Sequence, residues 1–293
     1  MKRLFILATA AIVALASCSK TQVVYTDAPE EIGFKAVTGA MTKADLGDDV
    51  HLGVFAEYED AESNVSSYFD NIEFVKTDGV WKGNQYWPKD GTLHFTFYAP
   101  YKNGKAEYID NAKNLTLTID DNGTDQTDYL VGKTRPSGTS GEVAIELQHA
   151  LASVKVTVIA DVASLYNITS LVLNDTKQAG TLTCNYSSDL VVTPSDASGE
   201  KAFTLISSGT PVTTSATAVG NEEGYLVFPS EATSLTLHYT INGAPQTKTI
   251  NLDETWEPGK QYTYGISFGA TEITVRPTVD NWTTGQVTTD ATI

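Results

Sequence analysis

Short segments of alternating apolar and polar residues recur along almost the whole chain, and this period of two is the feature that most constrains its fold. Successive side chains of a β-strand point to opposite faces, so such alternation predicts half-buried strands. Turn-forming stretches such as PSDASGE and INGAPQ separate the segments, whereas helical periodicity is limited to short turns at residues 61–72 and 161–168. Many short strands with frequent turns predict an all-β protein built from antiparallel β-sandwiches. The predicted strands are residues 51–58, 93–98, 115–120, 143–147, 153–160, 168–173, 224–228, 234–241, 262–268 and 273–277.

The first twenty residues, MKRLFILATAAIVALASCSK, have the layout of a secretory signal. Two basic residues precede an apolar run, Leu4 to Ala16, whose thirteen residues are too few for a stable membrane span. The run ends in Leu-Ala-Ser-Cys, which resembles a bacterial lipobox, where the leader is removed before a cysteine that carries lipid. We therefore expect a lipoprotein signal peptide at residues 1–17 and lipidation of Cys18, with a plain signal peptide as the alternative.

Charge, length and cysteine content narrow the class of protein. The formal net charge of the 293-residue chain is −17, and removal of the two basic leader residues would make it −19. Such an acidic surface repels nucleic acid and suits a body outside the cell. If Cys18 is lipidated, Cys184 has no cysteine partner for a disulfide or a metal site. The remaining length suits two domains, and we predict these at residues 44–162 and 163–293.

The sequence contains no phosphate loop, nucleophile elbow or zinc-protease motif, so we expect no enzyme and no cofactor. The run DDNGTDQTD, residues 120–128, is rich in oxygen ligands, but it lacks the glycine at the sixth position and the glutamate at the twelfth position of a calcium loop. It better predicts a hairpin turn around Asn122-Gly123. Glu57 and Glu59 share one strand face, which a solvated edge explains without acid–base catalysis. The histidines lack metal-ligand spacing and are predicted to be packing or surface residues: His51, His94, His149 and His238.

Four tryptophans support a competing hypothesis, because an exposed tryptophan on a β-sandwich can stack on a sugar ring. They are Trp81, Trp87, Trp256 and Trp282. Their positions at turns and beside the last strands favour roles in the core or in capping an edge. A surface lipoprotein that binds a glycan or a host protein through exposed aromatics is therefore the alternative function.

Several segments occur in an order typical of one family. After the lipobox come TKAD and VHLGVFAEY, YWPKDGTLHFTFYAPY, DYLVGKT, VAIELQHALASVKVTV, GYLVFP ahead of SLTLHYTING, and WEPGKQYTYGISFGATEITVRPTVDNW. Together they resemble the fimbrillin, or type V pilin, family of Gram-negative lipoproteins over residues 18–282. The resemblance implies two tandem transthyretin-like sandwich domains, export as an outer-membrane lipoprotein, and assembly into cell-surface fimbriae after proteolysis.

The segment IGFKAV alternates as a strand does, and it lies between the lipobox and the first domain strand, so we interpret it as a removable strand. Ile32, Phe34 and Ala36 would face inward, and burial of the two larger side chains would contribute about 3 to 6 kcal/mol. Because a sheet edge accepts a strand from another chain, replacement of this strand by a neighbour's would build a head-to-tail filament. We expect the donor segment within residues 273–293, with these apolar candidates: Ile273, Val275, Val287 and Ile293.

Lys43, in the stretch TGAMTKADLG, is the predicted site of proteolytic cleavage. Small and turn-forming residues surround it, and nicking concentrates in such loops. Lys20 lies beside the lipid anchor, and Lys35 lies inside the predicted strand. The place of Lys43 also resembles the basic residue at which family members mature, although lysine in place of arginine leaves the protease unidentified. Cleavage would discard residues 18–43, a lipidated propeptide, and make Ala44 the new N-terminus.

These observations predict a pilin-like structural subunit that supports adhesion. Its expected partners are other pilin subunits in a homo- or hetero-polymer, the outer membrane before processing, and a maturation protease. A fimbrial tip adhesin is a further alternative, and the sequence does not separate stalk, anchor and tip roles.

Overall fold

The computed structural model describes residues 29–36, 49–102, 104–109, 113–120, 122, 126–134, 141–163, 165–187 and 189–282. Within these ranges the chain forms 22 β-strands and no helix, which confirms the predicted all-β class. None of the described residues belongs to a helix with the length and apolar character needed to cross a membrane.

An eight-stranded sheet contains most of the N-terminal part, in the order β10-β8-β5-β2-β3-β4-β1-β9. Its strands are β1 Glu31–Ala36, β2 Leu52–Glu59, β3 Val65–Thr77, β4 Val80–Tyr86, β5 Thr92–Ala99, β8 Leu130–Thr134, β9 Glu142–Ile145 and β10 Leu147–His149. The β1–β9 pair is parallel, and the other pairs are antiparallel.

This sheet folds over on itself. Phe34 on β1 lies 5.0 Å from Phe95 and 4.8 Å from Phe97, ring centre to ring centre, although three strands separate β1 from β5 in the sheet. The long strand β3 pairs with β2 along its first part and with β4 at its end, so it carries the chain from one layer to the other. The enclosed residues form the N-terminal core, which includes Ile32, Phe34, Leu52, Val54, Phe74, Trp81, Phe95 and Phe97.

A four-stranded sheet, in the order β14-β13-β7-β6, covers the outer face of β2 and β5. Its strands are β6 Ala106–Ile109, β7 Asn114–Ile119, β13 Ala179–Asn185 and β14 Val191–Ser198. The residues enclosed here form the bridging core, which includes Phe55, Tyr98, Leu115, Leu117, Leu182, Cys184, Tyr186 and Phe228. Because β2 and β5 are covered on both faces, they carry nearly continuous apolar runs such as FTFYA.

Two five-stranded sheets form a second sandwich. One has the order β17-β11-β21-β22, with β18 also paired to β11; the other has the order β15-β12-β19-β20, with β16 paired to β12. The strands are β11 Ala152–Ala160, β12 Tyr166–Thr176, β15 Lys201–Ile206, β16 Thr210–Pro211, β17 Thr217–Val219, β18 Tyr225–Val227, β19 Ser234–Ile241, β20 Ala244–Asn251, β21 Lys260–Phe268 and β22 Ile273–Asn281. Between them lies the C-terminal core, which includes Val156, Leu171, Leu237, Trp256, Ile266 and Phe268.

The predicted division at residue 162 does not separate these sheets. β11, which precedes residue 162, pairs in parallel with β21 from Ser153↔Gln261 to Ala160↔Phe268. The β13–β14 hairpin, which follows it, pairs back onto β7. Alternation within a segment indicates which of its side chains are buried, but it does not indicate which strand it pairs with. A division by position along the chain therefore misses the pairings of β11 with β21 and of β13 with β7.

The two segments with helical periodicity also differ from expectation. Residues 65–72 lie in β3, and residues 166–168 begin β12. In the first, a residue with positive φ, Asn71 (44°), falls within a register shift between β2 and β3, so the alternation is interrupted and a spurious longer period results.

Candidate functional site

The seat of β1, between β4 and β9, is the candidate functional site. On one side β1 runs antiparallel to β4, with Gly33 opposite Lys82 and Phe34 opposite Trp81. On the other it runs parallel to β9, from Gly33↔Glu142 to Ala36↔Ile145. β1 thus fills the position between β4 and β9 in the eight-stranded sheet.

The side chains of Ile32 and Phe34 are completely buried. The Phe34 ring lies 5.0 Å from that of Phe74 and contacts Phe95 and Phe97 edge-on. Burial of a side chain of this kind contributes about 1.5 to 3 kcal/mol, and an aromatic pair adds about 0.5 to 1.5 kcal/mol. Apolar contact is therefore the main attraction between β1 and the rest of the protein.

Gly33, between these two residues, has no room for a side chain. A Cβ atom at this position would lie 2.9 Å from Cγ1 of Val80, which is itself buried. The seat thus fits a large residue, a glycine and an aromatic residue in succession.

Polar groups mark the two ends of β1. Lys35 forms an ion pair with Glu142, and both side chains are about half exposed. The Glu30 carboxylate accepts a hydrogen bond from the Gly141 N–H at 3.0 Å, and the Glu31 carboxylate lies 3.3 Å from Lys82 Nζ. Exposed pairs of this kind contribute at most about 1 kcal/mol each, so they set the register more than they stabilise the strand.

The remaining residues predicted for processing are placed only in part. Ala36 ends β1 opposite Ile145. Cys18, Lys43 and Ala44 lie outside the described residues, as do Val287 and Ile293 among the donor candidates. Ile273 and Val275 lie in β22, where both pack partly against the C-terminal core. Among the described strands β22 is an edge strand with β21 as its partner.

Three of the four tryptophans are not available to stack on a sugar ring. Trp81, Trp87 and Trp256 are buried. Each indole N–H has an acceptor, at 2.8 Å on the Val50 carbonyl, 3.2 Å on the Gly141 carbonyl and 2.9 Å on the Tyr264 hydroxyl respectively. The role in the core that the sequence favoured for these residues is therefore observed, and Trp87 in particular presents no open ring face.

Trp282, which is partly buried, stacks on His149 with ring centres 3.5 Å apart and planes 7° apart. The buried His149 ring also bonds to the Asp128 carboxylate, through Nδ1 at 3.0 Å. The two rings line a cleft of about 530 Å³ between β10 and the start of β21. His149 is thus a packing residue that connects the end of β22 to the N-terminal layers.

The acidic residues of β2 differ from the sequence-based interpretation. Glu57 is buried instead of lying on a solvated edge; both of its oxygens lie 2.5 Å from Lys113 Nζ, and Tyr108 donates to it at 3.3 Å. Glu59 bonds to His94 at 2.6 Å. The four-stranded sheet brings Lys113 over Glu57, and nothing in the alternation of β2 indicates that cover. Among the described residues, no three His, Cys, Asp or Glu side chains are grouped so as to hold a metal ion.

Sequence reasoning also missed the role of β9. The segment VAIEL, residues 143–147, was predicted as one strand, but the chain forms β9 and β10 on either side of Glu146. β10 pairs with β8 and β9 with β1, so two adjacent segments lie at opposite ends of the folded sheet.

Comparison with protein families gives one match over most of the chain. A family model described as fimbrillin-like matches residues 35–282. That range includes the last two residues of β1 and all the later strands. A search of curated protein sequences finds no significant match.

Comparison with solved structures shows the same fold. A fimbrial protein from Bacteroides vulgatus superposes with a TM-score of 0.61 at 19% sequence identity, over 86% of this chain and 99% of that one. A protein from Bacteroides uniformis, described as a candidate cell adhesion protein, superposes with a TM-score of 0.55 at 20% identity, over 87% of this chain and 99% of that one. At these identities the likeness establishes the architecture alone.

Proposed function

The chain belongs to the fimbrillin-like family, and from this membership we propose that it is a structural subunit of a cell-surface fimbria that polymerises by strand exchange. The observation that carries the proposal is the seat of β1. A short segment near the N-terminus occupies a complete strand position, and its two core side chains have no exposed surface. Removing it would leave an apolar groove bounded by strand edges, which is a site that takes another strand.

The proposed processing follows from the order of segments along the chain. Cys18 would carry the lipid and hold the exported protein at the outer membrane. Lys43 follows β1 and precedes β2, so cleavage there would separate β1 from every later strand. Ala44 would become the first residue, and residues 18–43 would leave with the anchor. The seat would stay filled, and the monomer closed, until cleavage.

The donor strand is proposed to come from residues 273–293 of a neighbouring subunit. β22 is already an edge strand, and its exposed half includes Val279. Since Ile273 and Val275 pack partly against the C-terminal core, the segment that includes Val287 and Ile293 is the part that a neighbour could take without opening the donor's own sandwich. Such a contact joins two different surfaces and extends as a filament.

Adhesion is the proposed role of the assembled fibre. One structural neighbour is described as a fimbrial protein and another as a candidate cell adhesion protein, and we extend both descriptions to this chain. The proposal includes no enzymatic step. The burial of Trp81, Trp87 and Trp256 removes the main support for the alternative of glycan binding through these rings.

Substitution of Lys43 tests the processing step. Lys43→Ala should leave a folded, lipid-anchored monomer, whereas wild-type surface material should give an oligomer ladder that resists SDS at room temperature and collapses on boiling. Lys35→Ala is the matched control, because it removes another lysine of the same region and should leave the ladder intact. N-terminal sequencing of surface protein should find Ala44. Fibres whose subunits retain Cys18 would contradict this route.

Deletion of residues 283–293 tests the donor. The truncated protein should be processed and folded but should not polymerise by itself. It should still accept a donor strand from intact subunits and so end their growth when mixed in excess. Normal ladders from the truncated protein alone would place the donor elsewhere.

A further inference from the structure

β9 depends on β1 for its place in the sheet. In the described strand order β9 is the outermost strand, and its ladder is with β1 alone. β4, on the other side of the seat, also pairs with β3, and the ring of its Trp81 donates to the Val50 carbonyl. The two walls of the seat therefore differ: β4 is paired within the sheet independently of β1, whereas β9 has its ladder with β1 and is otherwise attached through Glu146 to β10, which pairs with β8.

The polar contacts of β9 show the same dependence. Gly141, just before β9, donates its N–H to Glu30, and Glu142 pairs with Lys35. Both partners belong to the segment that would leave with β1. A third contact, from Trp87 Nε1 to the Gly141 carbonyl at 3.2 Å, stays with the body.

The buried side chains of β9 lie in the N-terminal core beside those of β1. Val143 and Ile145 are almost fully buried there, in the same cluster as Ile32 and Phe34. Without β1, a four-residue strand would keep these two contacts but would lose its backbone partner. Fixing the backbone of each residue has a cost in conformational entropy, which two partly uncovered side chains do not offset.

We propose that Glu142–Ile145 is a movable wall of the β1 seat, which loses its order when β1 leaves and forms again on the strand that replaces it. This inference rests on the proposed strand exchange. The seat is then completed by the incoming strand, and we expect that strand to run in the direction of β1, because this direction alone reproduces both observed pairings, parallel to β9 and antiparallel to β4.

A movable wall has two effects on assembly. The freed subunit presents one fixed strand edge instead of a groove with two, so it offers a poorer template for unspecific pairing. Its partner must supply the binding free energy that orders β9, so a strand with small side chains would bind weakly. In the closed monomer Ile32 and Phe34 supply this free energy, and Gly33 between them avoids Val80.

Hydrogen exchange measured on the full-length chain tests the movable wall. Phe34→Ser should release β1, and amide exchange should become faster by about tenfold or more at residues 31–36 and at 142–145 together. Ile32→Ala is a milder second variant in case the first does not fold. Leu237→Ala, which removes a buried side chain of the C-terminal core, is the matched control and should leave exchange at 142–145 unchanged.

A synthetic peptide tests the direction. Added in excess to the Phe34→Ser chain, the peptide PEEIGFKA, residues 29–36, should restore slow exchange at 142–145, whereas the same residues in reversed order should not. Slow exchange at 142–145 while residues 31–36 exchange fast would overturn the movable wall. Equal protection by both peptides would overturn the expected direction, and protection by neither would overturn the re-formation of the wall on an incoming strand. These measurements need no fibre, so failure of polymerisation would count against the proposed function alone.

Discussion

Phe34 is the residue on which the packing of β1 depends most. Its ring contacts Phe74, Phe95 and Phe97 and has no exposed surface. Sequence alternation predicted that Ile32 and Phe34 would face inward, since both are large and lie two positions apart. It did not indicate that three rings from β3 and β5 surround Phe34, because that depends on how the sheet folds over.

Truncation of this ring should weaken the N-terminal core. We expect Phe34→Ala to lower the free energy of unfolding by about 3 to 5 kcal/mol, the usual cost of a cavity in place of a buried phenylalanine. The neighbouring change Lys35→Ala removes only a half-exposed ion pair and should cost at most about 1 kcal/mol. Denaturant unfolding of the unprocessed chain measures both. Equal losses would mean that β1 is held mainly by its backbone ladder.

Cys184 makes the bridging core sensitive to alkaline pH. Burial raises the pKa of the Cys184 thiol from 9.0 to about 12, and burial also raises the pKa of Tyr186 well above its usual range. The thiol of the unfolded chain loses its proton at a lower pH than the buried thiol of the folded chain. The folded state therefore keeps its full stability below about pH 9 and loses stability as the pH rises towards 12.

The unfolding free energy should therefore decline more steeply between pH 9 and pH 11 in the wild type than in Cys184→Ala, when both chains begin after Cys18. Native Cys184 should also react with iodoacetamide at pH 8 far more slowly than the unfolded protein. A thiol that reacts at the same rate in both states would show that this core opens readily.

At the scale of elements, strand identity was predictable and strand partnership was not. Segments such as SLTLHYTI alternate cleanly and form strands as expected, here β19. The parallel pairing of β1 with β9 joins residues more than 100 positions apart, and nothing in either segment specifies it. Glu57 was misplaced for the same reason, since its burial depends on the sheet that covers β2.

The side chain of Gln126 makes hydrogen bonds to the backbone of β18, as a neighbouring strand would. Its side-chain amide donates to the Leu226 carbonyl at 2.5 Å and accepts from the Leu226 N–H at 2.9 Å, so β18 is bonded on the side away from β11. Gln126→Glu replaces the donor with an oxygen that faces the carbonyl. We expect a loss of about 1 to 3 kcal/mol in unfolding free energy, with the exposed change Gln148→Glu as the matched control. Equal stability of the two variants would show that water replaces this bond.

The whole molecule is interlocked. The β13–β14 hairpin from the second half completes the sheet that covers β2 and β5, while β11 from the first half lies at the centre of the C-terminal sandwich. The all-β class could be read from the sequence because alternation is local. The exchange of strands between halves could not, because it is decided by the fit of whole sheets.

A fragment of residues 29–162 should therefore not fold by itself. It would lack Leu182, Cys184 and Phe228 from the bridging core, and β11 would have neither β21 nor β17 beside it. We expect no cooperative thermal transition by circular dichroism, whereas residues 29–282 should show one. A monomeric fragment 29–162 with a sharp transition would mean that the N-terminal core alone is sufficient.

The end of β22 also bears on how the protein responds to pulling. In a fibre of the proposed kind, tension on the C-terminal side enters each subunit through β22, which is registered with β21 over nine residue pairs. A pull along the strand loads these pairs together, whereas a sideways pull opens them one after another from the C-terminal end of β22. At that end the backbone N–H of Trp282 donates to the Gly259 carbonyl at 2.8 Å, and the Trp282 ring lies flat on His149. The stack thus holds β22 at the point where its separation from β21 would begin. In such a fibre it would transfer load from β22 to the N-terminal layers instead of letting β22 detach from its C-terminal end.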